Sequence, residues 1–171
     1  LLTTEFPSIL AENSTDGFAQ KIDCTHDFDS DGSIDIVISS PFQQGENSSG
    51  KISLYINGWE NSPFIWLPTD EQYWFGYSFA IGDLNGDETL DLSILSMNKD
   101  SPRLEISSLT EQFGLELRTF LESDQTTSFF GKRQEIADID QDGFDDLIVS
   151  APFYTNIEKN YTESGRIFLF Y

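Results

Sequence analysis

Three short acidic loops carry the side chains of this chain that are best suited to chemistry. Each loop is nine residues long and places oxygen-bearing side chains at positions 1, 3, 5 and 9. Alternate side chains of a tight loop can turn toward one point, where carboxylates repel one another unless a cation lies between them. These positions hold Asp27, Asp29, Asp31 and Asp35 in loop one, Asp83, Asn85, Asp87 and Asp91 in loop two, and Asp138, Asp140, Asp142 and Asp146 in loop three.

A hard divalent cation fits such loops, and Ca²⁺, which takes roughly six to eight oxygen ligands, fits best. The sequence therefore predicts up to three bound calcium ions. The loops differ from EF-hands, which need flanking helices and a bidentate Glu at the twelfth position. Apolar residues stand at that position here, namely Ile38, Ile94 and Val149.

Loop two departs from the other two loops at positions 3 and 6. Gly32 and Gly143 occupy position 6 in loops one and three, whereas loop two has Glu88. Glycine adopts a positive φ without steric cost, while a Cβ in the left-handed region costs about 1–2 kcal/mol. Asn85 supplies a neutral oxygen at position 3, where the other loops have a carboxylate. We therefore expect loop two to bind calcium most weakly.

The composition excludes several classes of function. The formal net charge of −21 argues against binding to nucleic acid and to anionic membranes. No apolar run reaches the length of about 18 residues that a membrane span needs, so we expect no membrane insertion. His26 is the single histidine, and no paired nucleophile, zinc-spaced cluster or phosphate-binding glycine loop accompanies it. The sequence therefore predicts a protein that is not an enzyme.

Two further features concern processing and location. Asn13, Asn47 and Asn160 begin N-glycosylation sequons, which predict a secreted or cell-surface glycoprotein. Because the chain begins with Leu1 rather than Met, we expect a processed protein or a piece of a longer polypeptide. Cys24 is the only cysteine, so no disulfide can form within the chain, and we expect it to be a small buried residue on a strand.

The loops recur at a nearly constant period, beginning at residues 27, 83 and 138. A short apolar, β-branched run follows each loop and predicts a strand, at residues 36–40, 92–96 and 147–151. Similar runs predict a strand before each loop, a third strand at 51–55, 103–107 and 166–171, and a fourth at 64–67 and 115–121. Residues 6–10 resemble a further outer strand.

This repetition predicts an all-β fold of three four-stranded antiparallel units, arranged as β-propeller blades. The units span approximately residues 11–67, 68–121 and 122–171, with 1–10 as an outer strand. Propellers typically have about four to eight blades, so three blades should form part of a larger propeller. The expected partners are other propeller blades or protein chains.

One combination of motifs identifies a family. Phe130-Gly131, loop three and then Ser150-Ala151-Pro152 resemble the FG-GAP repeat, with Phe18-Ala19 as a poorer match for Phe-Gly in the first unit. FG-GAP repeats build the propeller of about seven blades in integrin α subunits, and they also occur in glycosylphosphatidylinositol-specific phospholipase D. The resemblance implies that Ca²⁺ binds between the first two strands of a blade. It also implies a carbonyl ligand at position 7, from Ser33, Thr89 and Phe144.

The resemblance implies an extracellular, calcium-binding scaffold for cell adhesion or protein–protein interaction. Two alternatives remain at this point. The first is the non-catalytic propeller part of a hydrolase similar to the phospholipase D. The second is a carbohydrate-binding propeller with a glycan ligand, in which tryptophan rings stack on sugars; the candidates are Trp59, Trp66 and Trp74.

Overall fold

The computed structural model describes residues 10–11, 15–44, 49–58, 60–69, 71–98 and 101–171. Within these residues the chain forms eleven β-strands and one short 3-10 helix, Thr126–Ser128. The prediction of an all-β fold is therefore confirmed. The strands are β1 Ile22–Asp23, β2 Ile36–Gln44, β3 Ser49–Tyr55, β4 Phe64–Trp66, β5 Phe79–Gly82, β6 Asp91–Asn98, β7 Ser101–Leu109, β8 Leu115–Glu122, β9 Gln134–Ala137, β10 Asp146–Ala151 and β11 Arg166–Phe170.

The strands form three antiparallel sheets in which sequence neighbours pair. The first sheet has the order β1-β2-β3-β4 and the second the order β5-β6-β7-β8. The third sheet contains β9, β10 and β11 among the described residues, so it ends on the third strand of its unit, as the sequence predicts. Short connections favour this up-and-down order, because antiparallel neighbours need only a tight turn between them. Residues 6–9 of the predicted outer strand lie outside the described residues.

The first two sheets pack face to face around an apolar core. Successive residues of a strand point to opposite faces, so alternate residues such as Ile52 and Leu54 reach this core together, each fully buried. The second sheet contributes Phe79, Leu92 and Ile94. Trp66 is 4% exposed and its indole Nε1–H donates to the carbonyl of Phe113 at 2.7 Å. Trp66 therefore fills the space between sheets and offers no open surface for a sugar.

A second core joins the second and third sheets. Leu95 and Leu104 face Leu147 and Val149 across this interface, and all four are buried. A buried polar chain crosses the same interface through Gln134. Its amide Nε2–H donates to the hydroxyl of Ser78 at 2.9 Å, and its carbonyl oxygen accepts from Ser93. The three sheets thus stack as a row in which the middle sheet packs against both of the others.

The Phe-Gly pairs explain how closely the sheets approach. Phe130 is fully buried, and Gly131 follows it with a φ of +86°. A Cβ on Gly131 would lie 2.6 Å from Cδ2 of Leu104 in the facing sheet, so both the conformation and the space require glycine. Gly76 has the same relation to Ile52, at 2.7 Å. Ala19 adopts a φ of +61° at the corresponding place in the first unit.

The expectation for Cys24 is wrong. Its side chain is exposed, and it follows β1 instead of lying within it. β1 pairs with β2 at only two positions, through Ile22 and Asp23. The segment from Ala19 to loop one is one residue longer than its counterparts in the other units, and Cys24 lies in the part that leaves the sheet.

The other two candidate tryptophans and the prediction of no membrane insertion can be compared with the structure. Trp74 is 38% exposed, whereas Trp59 lies outside the described residues. Across the described part of the chain, no helix has the length and apolar character needed to span a membrane.

Comparison with Gly58 separates the two costs that a side chain at Gly131 would impose on stability, namely backbone strain and steric overlap with the facing sheet. Gly58 has a φ of +96°, but a Cβ there would meet no atom within 4 Å. We expect Gly58→Ala to cost about 1–2 kcal/mol of stability from strain alone. Gly131→Ala should cost roughly 1–3 kcal/mol more, because the new methyl group also overpacks the core. Urea unfolding of both variants measures the difference, and equal losses would contradict the described sheet packing.

Candidate metal centres

Each acidic loop joins the first and second strands of one sheet. Loop one lies between β1 and β2, loop two between β5 and β6, and loop three between β9 and β10. The following strand begins at or directly after position 9, so Asp91 and Asp146 are the first residues of β6 and β10. The loops therefore sit at the same end of three adjacent sheets.

The structure brings together the side chains at positions 1, 3 and 9. In loop one, carboxylate oxygens of Asp27, Asp29 and Asp35 all lie within 4.8 Å of one another. Loop three repeats this arrangement at the same positions, with Asp138, Asp140 and Asp146. Loop two has the amide of Asn85 at position 3, so its positions 1, 3 and 9 hold two carboxylates. The position-5 carboxylates, Asp31 and Asp142, belong to neither cluster.

Backbone hydrogen bonds hold these side chains inward, and their pattern is the same in all three loops. The position-1 carboxylate accepts from the N–H of position 6, at 2.8 Å in loops one and two and 3.1 Å in loop three. The position-3 side chain accepts from the N–H of position 5. The position-5 carboxylate accepts from the N–H of position 7. Such local bonds are typical of Asp and Asn in turns.

Position 9 differs from the others because it is buried. Asp35, Asp91 and Asp146 are 1%, 2% and 3% exposed, respectively. Oδ2 of each accepts from the N–H at position 2, at distances of 2.8, 3.1 and 2.9 Å. A buried carboxylate needs such donors or a cation, because the loss of water raises the free energy of the charged form. Position 9 thus ties the start of the second strand to the start of the loop.

The pKa values of the carboxyls in loops one and two are shifted in both directions. The hydrogen bond from the Thr89 N–H lowers the pKa of Asp87, whereas the pKa values of Asp91 and Asp29 are raised. Burial raises the pKa of the Asp91 carboxyl, and the other carboxylates of loop two add to this, against hydrogen bonds from Ser108 and the backbone. Burial also raises the pKa of Asp29, and the neighbouring carboxylates of loop one raise it further. A raised carboxyl pKa means that the negative charge is held at a free-energy cost. A cation between these oxygens would offset that cost.

The backbone at position 6 is left-handed in every loop, as predicted. Gly32 and Gly143 have φ values of +89° and +97°, and Glu88 has a φ of +65°. Glu88 carries a Cβ in this region, but loops one and three have their own such residue at position 4, Ser30 at +60° and Gln141 at +63°, where loop two has Gly86. Each loop therefore holds one side chain in the left-handed region, and this strain does not distinguish loop two.

The donor set suits a hard divalent cation, because it consists of carboxylate and amide oxygens without nitrogen or sulfur. Loops one and three offer three close carboxylates each, and loop two offers a weaker set. At position 7, the N–H groups of Ser33, Thr89 and Phe144 donate within their own loops. The carbonyl role of these residues stays a prediction.

Sequence reasoning missed three residues that contact the loops, namely Asn57, Asp145 and Ser108, whose hydroxyl donates to Oδ1 of Asp91. The Asn57 amide Nδ2–H donates to Asp29 at 3.0 Å, and its backbone N–H donates to Asp35 at 2.9 Å. Asn57 follows β3, more than twenty residues from the loop, so no local pattern indicates it. Asp145 in loop three contacts loop two through Asp83. Here a signal was present, because position 8 is apolar in the other loops and acidic in loop three.

The sequon residues remain predictions. Asn160 is exposed, between β10 and β11. Asn13 and Asn47 lie outside the described residues.

Comparison with known families agrees with this geometry. A model of the FG-GAP-like repeat matches residues 27–94, which contain loops one and two. A model of the FG-GAP repeat matches residues 136–170, which contain loop three. The chain belongs to the FG-GAP repeat proteins. Its repeats thus place the acidic loops between the first two strands of successive blades.

Relatives of this FG-GAP chain include several integrin α subunits. Integrin alpha-V of Gallus gallus is 30% identical over 154 residues, which cover 82% of this chain and 14% of the relative. Integrin alpha-IIb of Homo sapiens is 31% identical over 57% of this chain and 9% of the relative. Integrin alpha-PS2 of Drosophila melanogaster is 31% identical over 58% of this chain. The matched part spans between 7% and 14% of the length of these three relatives.

The buried position-9 carboxylate should matter to stability even without a cation. In a buffer with chelator, we expect Asp35→Ala to cost about 2–4 kcal/mol, because the N–H groups of Phe28 and Asn57 lose their acceptor. Asp31→Ala should cost less than about 1 kcal/mol, because Asp31 is exposed and water can replace its bond to the Ser33 N–H. Urea unfolding followed by tryptophan fluorescence compares the two. A larger loss for Asp31→Ala would show that position 9 is not the anchor of the loop.

Proposed function

We propose that this chain is a calcium-binding segment of an FG-GAP β-propeller and acts as an extracellular scaffold for protein–protein interaction. One observation carries the proposal. Carboxylate oxygens at positions 1, 3 and 9 converge in loops one and three, and the backbone hydrogen bond to the position-1 carboxylate recurs at the turn between the first two strands of all three sheets. The hydrogen bonds alone are typical of Asp in turns, so the convergence of three carboxylates in each of loops one and three is what favours a cation.

Calcium fits the loops better than magnesium. Ca²⁺ accepts irregular coordination by many protein oxygens, whereas Mg²⁺ demands octahedral geometry and retains water. Carboxylates at positions 1, 3 and 9 already converge in loops one and three. The remaining ligands would be the second oxygen of Asp31 and of Asp142, with the position-7 carbonyls that the family resemblance implies. The bound ion would neutralise the carboxylates and fix the turn between two strands.

Exposed apolar side chains on the third sheet support the proposed scaffold role, because they form a surface that a partner can cover. On β11, the alternate residues Ile167 and Leu169 are 68% and 45% exposed on the face of the third sheet that points away from the second. Tyr171 continues this series. A further propeller blade is the partner proposed for this face, because blades of a propeller pack face to face.

A second surface lies at the opposite end of the sheets from the acidic loops. Five aromatic side chains form a continuous row there across all three units, with ring centroids 5.8 to 6.4 Å apart. Lys132 lies over two of these rings. Trp74 and Phe153 are exposed and the other three rings are half-buried. Aromatic side chains are enriched at protein interfaces, so the row supports a role in protein binding. Its members are Phe42, Trp74, Tyr77, Phe129 and Phe153.

Calcium should stabilise the chain and magnesium should not. We expect a chelator to lower the melting temperature, and added Ca²⁺ to restore it. At a free concentration near 100 times Kd, one site contributes about 2.7 kcal/mol. Differential scanning calorimetry with each ion at the same concentration measures this effect. Equal recovery with Mg²⁺, or none with Ca²⁺, would refute the proposed calcium sites.

The charge at position 3 should set the order of affinity among the loops. Asn85→Asp and Asp140→Asn are nearly isosteric, and each new side chain can keep the hydrogen bond from the N–H of position 5. We expect Asn85→Asp to raise the calcium affinity of loop two by about tenfold, and Asp140→Asn to lower that of loop three by a similar factor. In each case one unit charge next to the ion changes. Isothermal titration calorimetry measures both. If Asn85→Asp leaves the Kd of the weakest calcium site unchanged, loop two is not the weakest site and the predicted order is wrong.

A further inference from the structure

We infer that loops two and three bind calcium cooperatively and that Asp145 is the positioning residue that couples them. The inference rests on the proposed calcium binding and concerns a relation between sites that the ligands alone do not specify. It begins from a pair of hydrogen bonds. The backbone N–H of Asp83 donates to Oδ2 of Asp145 at 3.0 Å, and the N–H of Asp145 donates to the carbonyl of Asp83 at 3.2 Å.

These bonds connect two ligand-bearing segments directly. Asp83 is position 1 of loop two, so its backbone carries the first proposed ligand of that site. Asp145 is position 8 of loop three, between Phe144 and Asp146, the proposed carbonyl and carboxylate ligands at positions 7 and 9. An ion in loop three fixes residues 144–146, and the paired bonds then fix Asp83. Loop two therefore loses less conformational freedom when it binds its own ion.

A second contact reaches the rest of loop two. The ring of Phe144 lies against Gly86 so closely that a Cβ on Gly86 would overlap it. Gly86 stands between Asn85 and Asp87, the side chains at positions 3 and 5. The segment of loop three that carries two proposed ligands thus contacts loop two on both sides of its position-3 ligand.

Loop one provides an internal control, because it has no such connection. The residue equivalent to Asp145 is position 8 of loop two, Leu90, whose apolar side chain packs against the core of the first two sheets and offers no acceptor to loop one. Among the described residues, no hydrogen bond joins loop one to loop two, and a cavity of about 470 Å³ lies between them. If proximity or general stability caused coupling, loops one and two would show it as well.

The experiment uses the full chain and Ca²⁺ alone as the probe, with isothermal titration calorimetry as the readout. Loop three is disabled by Asp138→Asn with Asp140→Asn, and loop one by the matched pair Asp27→Asn with Asp29→Asn. We expect loss of loop three to weaken binding at loop two by about fivefold or more, the scale of ordinary allosteric coupling. Loss of calcium binding at loop one should change the calcium affinity of loop two by less than about twofold. Because coupling is reciprocal, disabling loop two with Asp83→Asn should weaken loop three by the same factor.

Substitution of Asp145 then tests the connection itself. Asp145→Ala removes the acceptor for the Asp83 N–H, so disabling loop three should no longer affect loop two. Asp145→Asn keeps an acceptor oxygen and removes the charge, so it should retain the coupling. Circular dichroism in chelator checks that each variant is folded.

The outcomes separate this inference from the proposed function. If no loop binds Ca²⁺, the proposed function fails and the inference fails with it. If all loops bind but loss of loop three leaves loop two unchanged, calcium binding stands and the coupling is refuted. If the coupling survives Asp145→Ala, or disappears in Asp145→Asn, the hydrogen bonds of Asp145 do not carry it.

Discussion

The structure depends on hydrogen bonds that offset the repulsion among closely spaced carboxylates at the turn between the first two strands of each sheet. Backbone N–H groups face the carboxylates in every loop, and the deepest carboxylate accepts one from the start of its own loop. These bonds fix the turn, and the turn aligns the first two strands of the sheet. Burial and neighbouring carboxylates raise the pKa of Asp91 and of Asp29, so these two charges are held at a cost, whereas the Thr89 N–H bond lowers the pKa of Asp87. A divalent cation is the natural complement, because it replaces repulsion with attraction at the same geometry.

The second constraint is the distance between sheets, which the Phe-Gly pairs set. The phenylalanine is buried between two sheets, and the glycine next to it lets the facing side chains approach. This explains why phenylalanine and glycine occur together before the first strands of the second and third units, at Phe75-Gly76 and Phe130-Gly131. The first unit has Ala19 in place of glycine, and its first strand, β1, is only two residues long.

Much of the fold could be predicted from the sequence because its signals are local and repeated. The spacing of the loops, the apolar runs after them and the Phe-Gly pairs all lie within short segments, and the structure confirms the strands that they predict. Contacts across sheets left weaker signals. Asn57 reaches loop one from beyond β3, and Asp145 acts on a neighbouring sheet, so neither function follows from local spacing. Cys24 is exposed because the segment between Ala19 and loop one is one residue longer than in the other units. The alternation of apolar and polar residues does not indicate which residue of this segment leaves the strand.

Among the described residues, the middle sheet packs against another sheet on both faces, whereas the third sheet packs against one. Strands β6 and β7 are buried along nearly their whole length, and β11 is mostly exposed. In such a row each sheet depends only on its direct neighbours, so local unfolding free energies differ along the chain. Without a further blade on its exposed face, the third sheet can therefore open while the first two remain folded, and the amides of β6 and β7 then exchange with solvent last.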